Sequence, residues 1–440
     1  MASTNPPPDP GGVTTDGDPD PKVDPAAVMP GASAELLAGS VGEYARIWVK
    51  RIRSGESGAL PVIIGLIVII LIFQIRSSLF LSAGNLVNLL TQAAFIITLG
   101  MAEVFVLLLG EIDLAAGFTA ACGAVIALYL VAKNYPWWVA VIAALVATGA
   151  YGALQGYVIT RLRLPSFVVT LAGFLGLSGV LLVLINATGS IGNGGVIRLN
   201  SNVLNDIEAG ALNSTASWVV MIALVALAGL LLYLRDRRRR VSGLVAPPLS
   251  ITLLKIAVIA IAGTVVVLVG NTNRGTFLLA VRGLPYVVLV VLAVLVIYST
   301  LLGRTRFGRY IYAIGGNAEA ARRAGVATNR IRVLAFTLCG VTAGITGIIY
   351  ASYLGSISSG VNGGQNVLNG IAAAVIGGTS LFGGRGKMLD AVLGGLVVGV
   401  IANGLQLLGL SAATQLIWTA LVLVAAVTVD SLTRRGRSTA

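Results

Sequence analysis

Phe307-Gly308-Arg309-Tyr310-Ile311-Tyr312-Ala313-Ile314-Gly315-Gly316-Asn317-Ala318-Glu319-Ala320-Ala321-Arg322-Arg323-Ala324-Gly325-Val326 is a polar, cationic, Ala- and Gly-rich stretch set between two long hydrophobic runs, 284–302 and 331–354. A loop that only joined two such runs could be far shorter. The helix-forming residues Ala318 to Arg323 predict a short surface helix carrying Glu319, Arg322 and Arg323. Held at a membrane face, such a helix offers a rigid lever to another protein. The other reading of the same composition is a solvated basic loop that anchors topology. The rest of the chain has to decide between them.

The 440 residues are 56% hydrophobic and 11% charged, whereas soluble domains carry about 25% charged residues. Apolar runs long enough to cross roughly 30 Å of hydrocarbon as helices recur along the chain. Spans are predicted near 59–75, 86–109, 114–132, 136–160, 167–186, 217–234, 251–270, 284–302, 331–354, 367–382, 388–408 and 411–430. The expected fold is therefore an all-α integral membrane protein, a polytopic bundle of about 12 transmembrane helices. Its 55 glycines suit helices that pack closely through small residues. Residues 1–40, rich in Pro, Gly and Asp, form a tail that cannot bury enough surface to order itself. Residues 41–58 read as an amphipathic helix on the inner leaflet, with Tyr44, Ile47 and Trp48 on one face. The transmembrane domain fills 59–430, with a long external loop expected at 187–216 and a cytoplasmic loop at 303–330. A basic tail, 431–440, closes the chain.

The net charge of +13 is topological and calls for no nucleic acid. With the amino end inside and the spans alternating, twenty-three Lys and Arg from Arg46 to Arg437 fall on the cytoplasmic side. Only Arg76, Lys133, Arg198, Arg274 and Arg282 fall outside. This is a strong positive-inside bias, and it predicts both termini in the cytoplasm.

No histidine occurs, which removes His-based proton relays, metal sites and general bases. Cys122 and Cys339 are isolated in apolar runs and make neither a disulfide framework nor a metal motif. No obvious nucleophile–base pair is present, so no catalytic residue and no metal ligand is assigned. Gly383-Gly384-Arg385-Gly386-Lys387-Met388 lacks both the first glycine and the terminal hydroxyl of a phosphate-cradling loop. If ATP drives this protein, it must bind another polypeptide.

Intramembrane polar residues are costly and point to function. Glu103, Glu111 and Asp113 lie near the junction of the second and third spans, where the latter two could line a path or simply cap the next helix. Asn88, Thr91, Gln92 and Phe95 share one stripe of the second span. Amides and an aromatic ring together suit sugar hydroxyls and ring faces, but helix–helix hydrogen bonding would use the same amides. Asn369 is a later candidate of the same kind. An ion-coupled secondary carrier would need the three acids as its titrating groups.

Four ordered motifs carry a family resemblance. Glu111-Ile112-Asp113-Leu114-Ala115-Ala116-Gly117, Pro165-Ser166-Phe167-Val168-Val169-Thr170-Leu171-Ala172-Gly173, Tyr312-Ala313-Ile314-Gly315-Gly316-Asn317 and Ala374-Val375-Ile376-Gly377-Gly378-Thr379-Ser380-Leu381 resemble those of monosaccharide permeases of bacterial ABC importers. The run 251–270 followed by Asn273-Arg274-Gly275 resembles the xylose branch more than the shorter ribose branch. The resemblance implies a permease homodimer in lipid of the bacterial cytoplasmic membrane. It implies cytoplasmic ATPase subunits that hold ATP and Mg, and an external sugar-binding protein. It also implies that Gly308, Gly315, Asn317, Glu319, Ala320, Arg323 and Gly325 form the ATPase contact. The long tail 1–40 departs from the family's short amino end.

Overall fold

The computed structural model describes residues 60–187, 195–274 and 281–411 without a break, with a few more at 40–47 and 413–424. The acidic tail, most of the expected inner-leaflet helix, the second half of the span at 411–430 and the basic tail lie outside the described residues. So do 188–194 of the expected external loop.

Helices α1 (Leu60–Arg76), α2 (Ala83–Leu107), α3 (Ala116–Ala132), α4 (Trp137–Leu162) and α5 (Ser166–Ala187) follow the first five predicted spans to within a few residues. A short strand β1 (Val196–Arg198) and a small helix α6 (Asn202–Ala209) then lead into α7 (Ser214–Val241), α8 (Leu249–Asn271) and α9 (Tyr286–Arg304). The expected coupling loop contains two helices, α10 (Arg306–Gly316) and α11 (Ala318–Arg323). The chain continues through α12 (Thr328–Leu354), β2 (Ser356–Ser358), α13 (Gly363–Gly377) and α14 (Met388–Leu407). Among the described residues, eight helices are long and apolar enough to cross a membrane, and α1 and α3, at 17 residues each, are slightly shorter.

Proline sets several boundaries. Pro136, Pro248 and Pro285 stand at the N-caps of α4, α8 and α9, where the missing N–H has no intrahelical partner to lose.

One predicted span is displaced and remains short. The run 367–382 becomes α13, 15 residues long, which reaches only about 22 Å and cannot cross the hydrocarbon alone. It stops where Gly378 takes a φ of 121°, a conformation closed to residues with a side chain. The all-helical bundle also carries one small antiparallel ribbon, in which Val196 faces Ser358 and Arg198 faces Ser356.

The core is built around α2 and α12. Every residue from Ala93 to Leu107 is buried, as expected of a helix that is apolar all round. Backbone-to-backbone packing allows this crowding. A Cβ on Gly152 of α4 would overlap the Phe336 carbonyl of α12, and one on Gly340 of α12 would overlap the Thr148 carbonyl of α4. Gly152 with Gly156 and Gly340 with Gly344 are spaced four apart, the small-residue pattern that lets membrane helices approach. By contrast α7 and α8 lie at the periphery, packed chiefly on each other. Their pairing is pinned by buried Asp236, which accepts a hydrogen bond from Thr252 Oγ1 (2.7 Å) and pairs with Arg235 (2.9 Å).

Candidate functional site: the surface helices and the buried path behind them

The residues 306–325 form a structured platform. Thr305 caps α10, its Oγ1 accepting from the Gly308 N–H (3.3 Å). Gly308 sits where the chain doubles back, and a Cβ there would overlap the Leu302 carbonyl. Ile311 and Ile314 are buried in the cluster that holds Phe105 and Leu108 of the α2 end. Asn317 closes α10 and opens α11, its Oδ1 accepting from the Ala320 N–H (2.9 Å). Glu319 bridges Arg322 and Arg323 (2.6 and 3.1 Å) on the exposed face of α11. These two guanidiniums hold the Glu319 carboxyl below its ordinary pKa. Ala320 is exposed, and Gly325 turns the chain at a φ of 82°. The helix expected from Ala318 to Arg323 is present over those residues. The amphipathic α10 before it was not expected, although Phe307, Ile311 and Ile314 fall at helical spacing.

The platform comes closest to the core at Gly315. A Cβ on Gly315 would collide with the carbonyl oxygen of Leu108, and that oxygen already accepts from the Gly384 N–H (2.9 Å). Tyr312 Oη donates to the Gly386 carbonyl (2.7 Å). At Gly315 the end of α2, the surface helix α10 and the loop 378–387 thus meet backbone to backbone.

Glu111 and Asp113 lie just beyond this clasp. Glu111 pairs with Arg332 at the start of α12 (3.0 Å). Burial pushes the Glu111 carboxyl up, opposed by that guanidinium. Asp113 Oδ1 accepts from the Ala115 N–H (3.0 Å) and from Gln155 Nε2 (2.9 Å), tying the start of α3 to α4. In this arrangement both acids serve as tethers between elements, and no side chain caps α3. Glu103 is fully buried on α2, and neither carboxylate oxygen has a hydrogen-bond partner.

The other candidate path residues are spread along the molecule. Asn88 and Leu107 are nineteen positions apart on α2, about 28 Å along the axis, so Asn88 and Glu111 cannot touch one small solute together. Asn88 is exposed. Gln92 Nε2 donates to Gln406 Oε1 (2.9 Å), and Asn85 Nδ2 donates to Asn403 Oδ1 (2.9 Å), so these amides join α2 to α14. Asn369 accepts from Gln365 Nε2 (3.1 Å) within α13. Phe95 stands against Tyr350 and Tyr353 of α12, with ring centroids 4.8 and 6.2 Å apart. It lines a cavity of about 10 Å³ with Thr346, Tyr350 and Asn366, room for about one water.

Above these rings lies a residue the sequence did not single out. Glu208, at the end of α6, is 8% exposed, and neither carboxylate oxygen has a hydrogen-bond partner. Burial pushes its carboxyl up to about 9. Its N–H donates to Ser352 Oγ (3.1 Å), which in turn donates to the Asn205 carbonyl (3.1 Å). These bonds seat α6 over the end of α12.

Comparison with known proteins bears on what this arrangement serves. A family profile described as the permease component of branched-chain amino acid transport systems matches residues 85–427. The xylose transport system permease protein of Haemophilus influenzae is 33% identical over 379 residues, 85% of this chain and 96% of that protein. Its Escherichia coli K12 counterpart is 34% identical over 359 residues, 81% and 87% of the two chains. The ribose import permease protein of Escherichia coli K12 is 30% identical over 369 residues, 84% and 92%. No solved structure matches the chain.

Proposed function

This chain belongs to the permease-component family of ABC transport systems, and on that premise we propose that it is the membrane-spanning subunit of an ATP-driven importer of a monosaccharide, xylose or a closely related sugar. ATP hydrolysis belongs to a separate partner chain. In this reading α10 and α11 face the cytoplasm as the docking surface for that ATPase. An external sugar-binding protein delivers the solute to the opposite side, and two copies of the permease form the transport unit in the bacterial plasma membrane.

The observation that carries the reading is the clasp of Gly315 against Leu108 and Gly384. Packed interiors switch between discrete arrangements and do not deform continuously. Movement of the surface helices is therefore passed directly to the end of α2. The same helix carries Phe95 at the aromatic layer, so displacement at one face alters the gate inside. The extensive likeness to two xylose permeases supports xylose as the solute, and the likeness to a ribose permease supports the wider class.

Purification of the tagged chain from its own cells, with its partners identified by mass spectrometry, tests the assignment. An ABC ATPase and a sugar-binding protein are the expected companions. Purification with neither, under conditions that keep the permease folded, would overturn it.

A further inference from the structure

A groove of about 550 Å³ opens between the end of α4 and the start of α12, away from the aromatic cavity and the clasp. Arg161 and Arg163 rim it from one side and Arg330 from the other. All three are exposed, and among the described residues none is held in an ion pair. The first turn of α12 begins in the same groove, and no side chain caps it. Its N–H groups add to the positive potential of the three guanidiniums.

The walls are of the opposite character. Tyr157 lies four residues before Arg161, and Leu334 lies four residues after Arg330. On both helices the side chain one turn further into the span, on the same face as the arginine, is therefore large and apolar. Tyr157 is 57% exposed and Leu334 49%. One turn is about 5.4 Å, so a ring of cations gives way to an apolar wall over the depth of one lipid carbonyl region. A solvent-facing anion site has no use for that wall. A protein-docking groove has no reason to continue into the hydrocarbon.

We propose that this groove binds the phosphate headgroup of an anionic phospholipid, the three arginines holding the phosphate while Tyr157 and Leu334 pack against the first part of an acyl chain. Basic pockets between membrane helices are suited to such headgroups, and guanidiniums can engage phosphate oxygens two at a time. The proposal needs only that the chain spans a bilayer. It stands independently of which solute is carried and of which ATPase docks. Its consequence is that the close packing of α4 against α12 is braced by a lipid at the membrane surface.

The test is native mass spectrometry of the purified transporter titrated with palmitoyl-oleoyl phosphatidylglycerol, and with phosphatidylcholine as the neutral comparison. Wild type should retain one phosphatidylglycerol per chain in preference to phosphatidylcholine. The variant Arg161→Gln/Arg163→Gln/Arg330→Gln should lose it, with affinity falling on the order of a hundredfold, and Arg330→Gln alone by about fivefold. The single variant keeps the test decisive if the triple one fails to fold. Replacing Arg237, Arg238, Arg239 and Arg240 by Gln should leave the bound lipid in place, and equal loss there would overturn a specific site. Retention of phosphatidylglycerol by both groove variants would also overturn it. If inorganic phosphate alone stabilises the wild type as much as phosphatidylglycerol does, the ligand is a free anion and the lipid assignment falls. If the variants keep the lipid but lose the co-purifying ATPase, the groove is a protein-docking surface and the assignment likewise falls.

Discussion

Gly315 and Gly316 are adjacent in α10, but their surroundings differ completely, and this makes them a matched pair for testing the clasp. An added methyl at Gly315 would overlap the Leu108 carbonyl oxygen and crowd the Gly384 nitrogen, while one at Gly316 meets nothing within 4 Å. Backbone cannot rotate aside as a flexible side chain can. α10 must therefore withdraw from the end of α2 by more than about 1 Å before normal contact is restored. Overpacking of this kind costs about 1–3 kcal/mol. Loss of the Gly384 N–H to Leu108 bond (2.9 Å) adds about 1 kcal/mol. The clasped arrangement is therefore disfavoured by about 2–4 kcal/mol, at least tenfold in its population. In Gly315→Ala, sugar uptake by vesicles loaded with ATP should fall at least about tenfold. The ATPase should still co-purify, because the exposed face of α11 is untouched. Gly316→Ala should transport as wild type does, since it adds only helix propensity. Wild-type uptake in Gly315→Ala refutes the reasoning. So do equal losses in both variants, because the fault would then lie in α10 itself.

Four further outcomes follow from particular residues. Glu319→Arg turns an ion-paired exposed helix into an unbroken cationic patch. Its effect on stability should be small because the site is exposed, while sugar-stimulated ATP hydrolysis should be lost, as measured by phosphate release with and without sugar. Gln92→Ala should destabilise the protein by about 0.6 kcal/mol and show non-additivity with Gln406→Ala in thermal unfolding, whereas Asn88→Ala should lower uptake with stability unchanged. Glu208 has a carboxyl raised to about 9 from 4.5, so its favourable contribution is complete below pH 4.5 and is lost as pH rises toward 9. The penalty at pH 7 is about 3 kcal/mol at most. Glu208→Gln should accordingly flatten the fall in melting temperature across that window, and an unchanged pH profile would show that the carboxyl is not held in its neutral form.

The spans were legible because their apolar runs are long and end at proline, glycine or charge. α11 was legible for a local reason, with Asn317 as a cap before Ala318 and with Glu319 three and four residues from two arginines. Its neighbour α10 was hidden by its glycines and tyrosines, although Ile311 and Ile314 mark its buried face. The shortness of α13 was already visible in its run of 16 residues, 367–382, but the stop at Gly378, where φ is 121°, depends on a backbone angle that composition does not reveal. The polar stripe on α2 had two readings, and the partners that separate them, Gln406 and Asn403, lie more than 300 positions away. The pairing of Glu111 with Arg332 and the clasp at Gly315 are equally non-local. Periodicity shows which face of a helix is buried but not which residue lies opposite.

The most direct measurement of the central claim is labelled xylose accumulation in vesicles containing the permease and its ATPase, with the sugar-binding protein outside and ionophores present. Accumulation should require internal ATP, should vanish when the ATPase is inactivated by substitution, and should survive collapse of the proton and sodium gradients. Accumulation driven by an ion gradient in the absence of ATP would contradict the account.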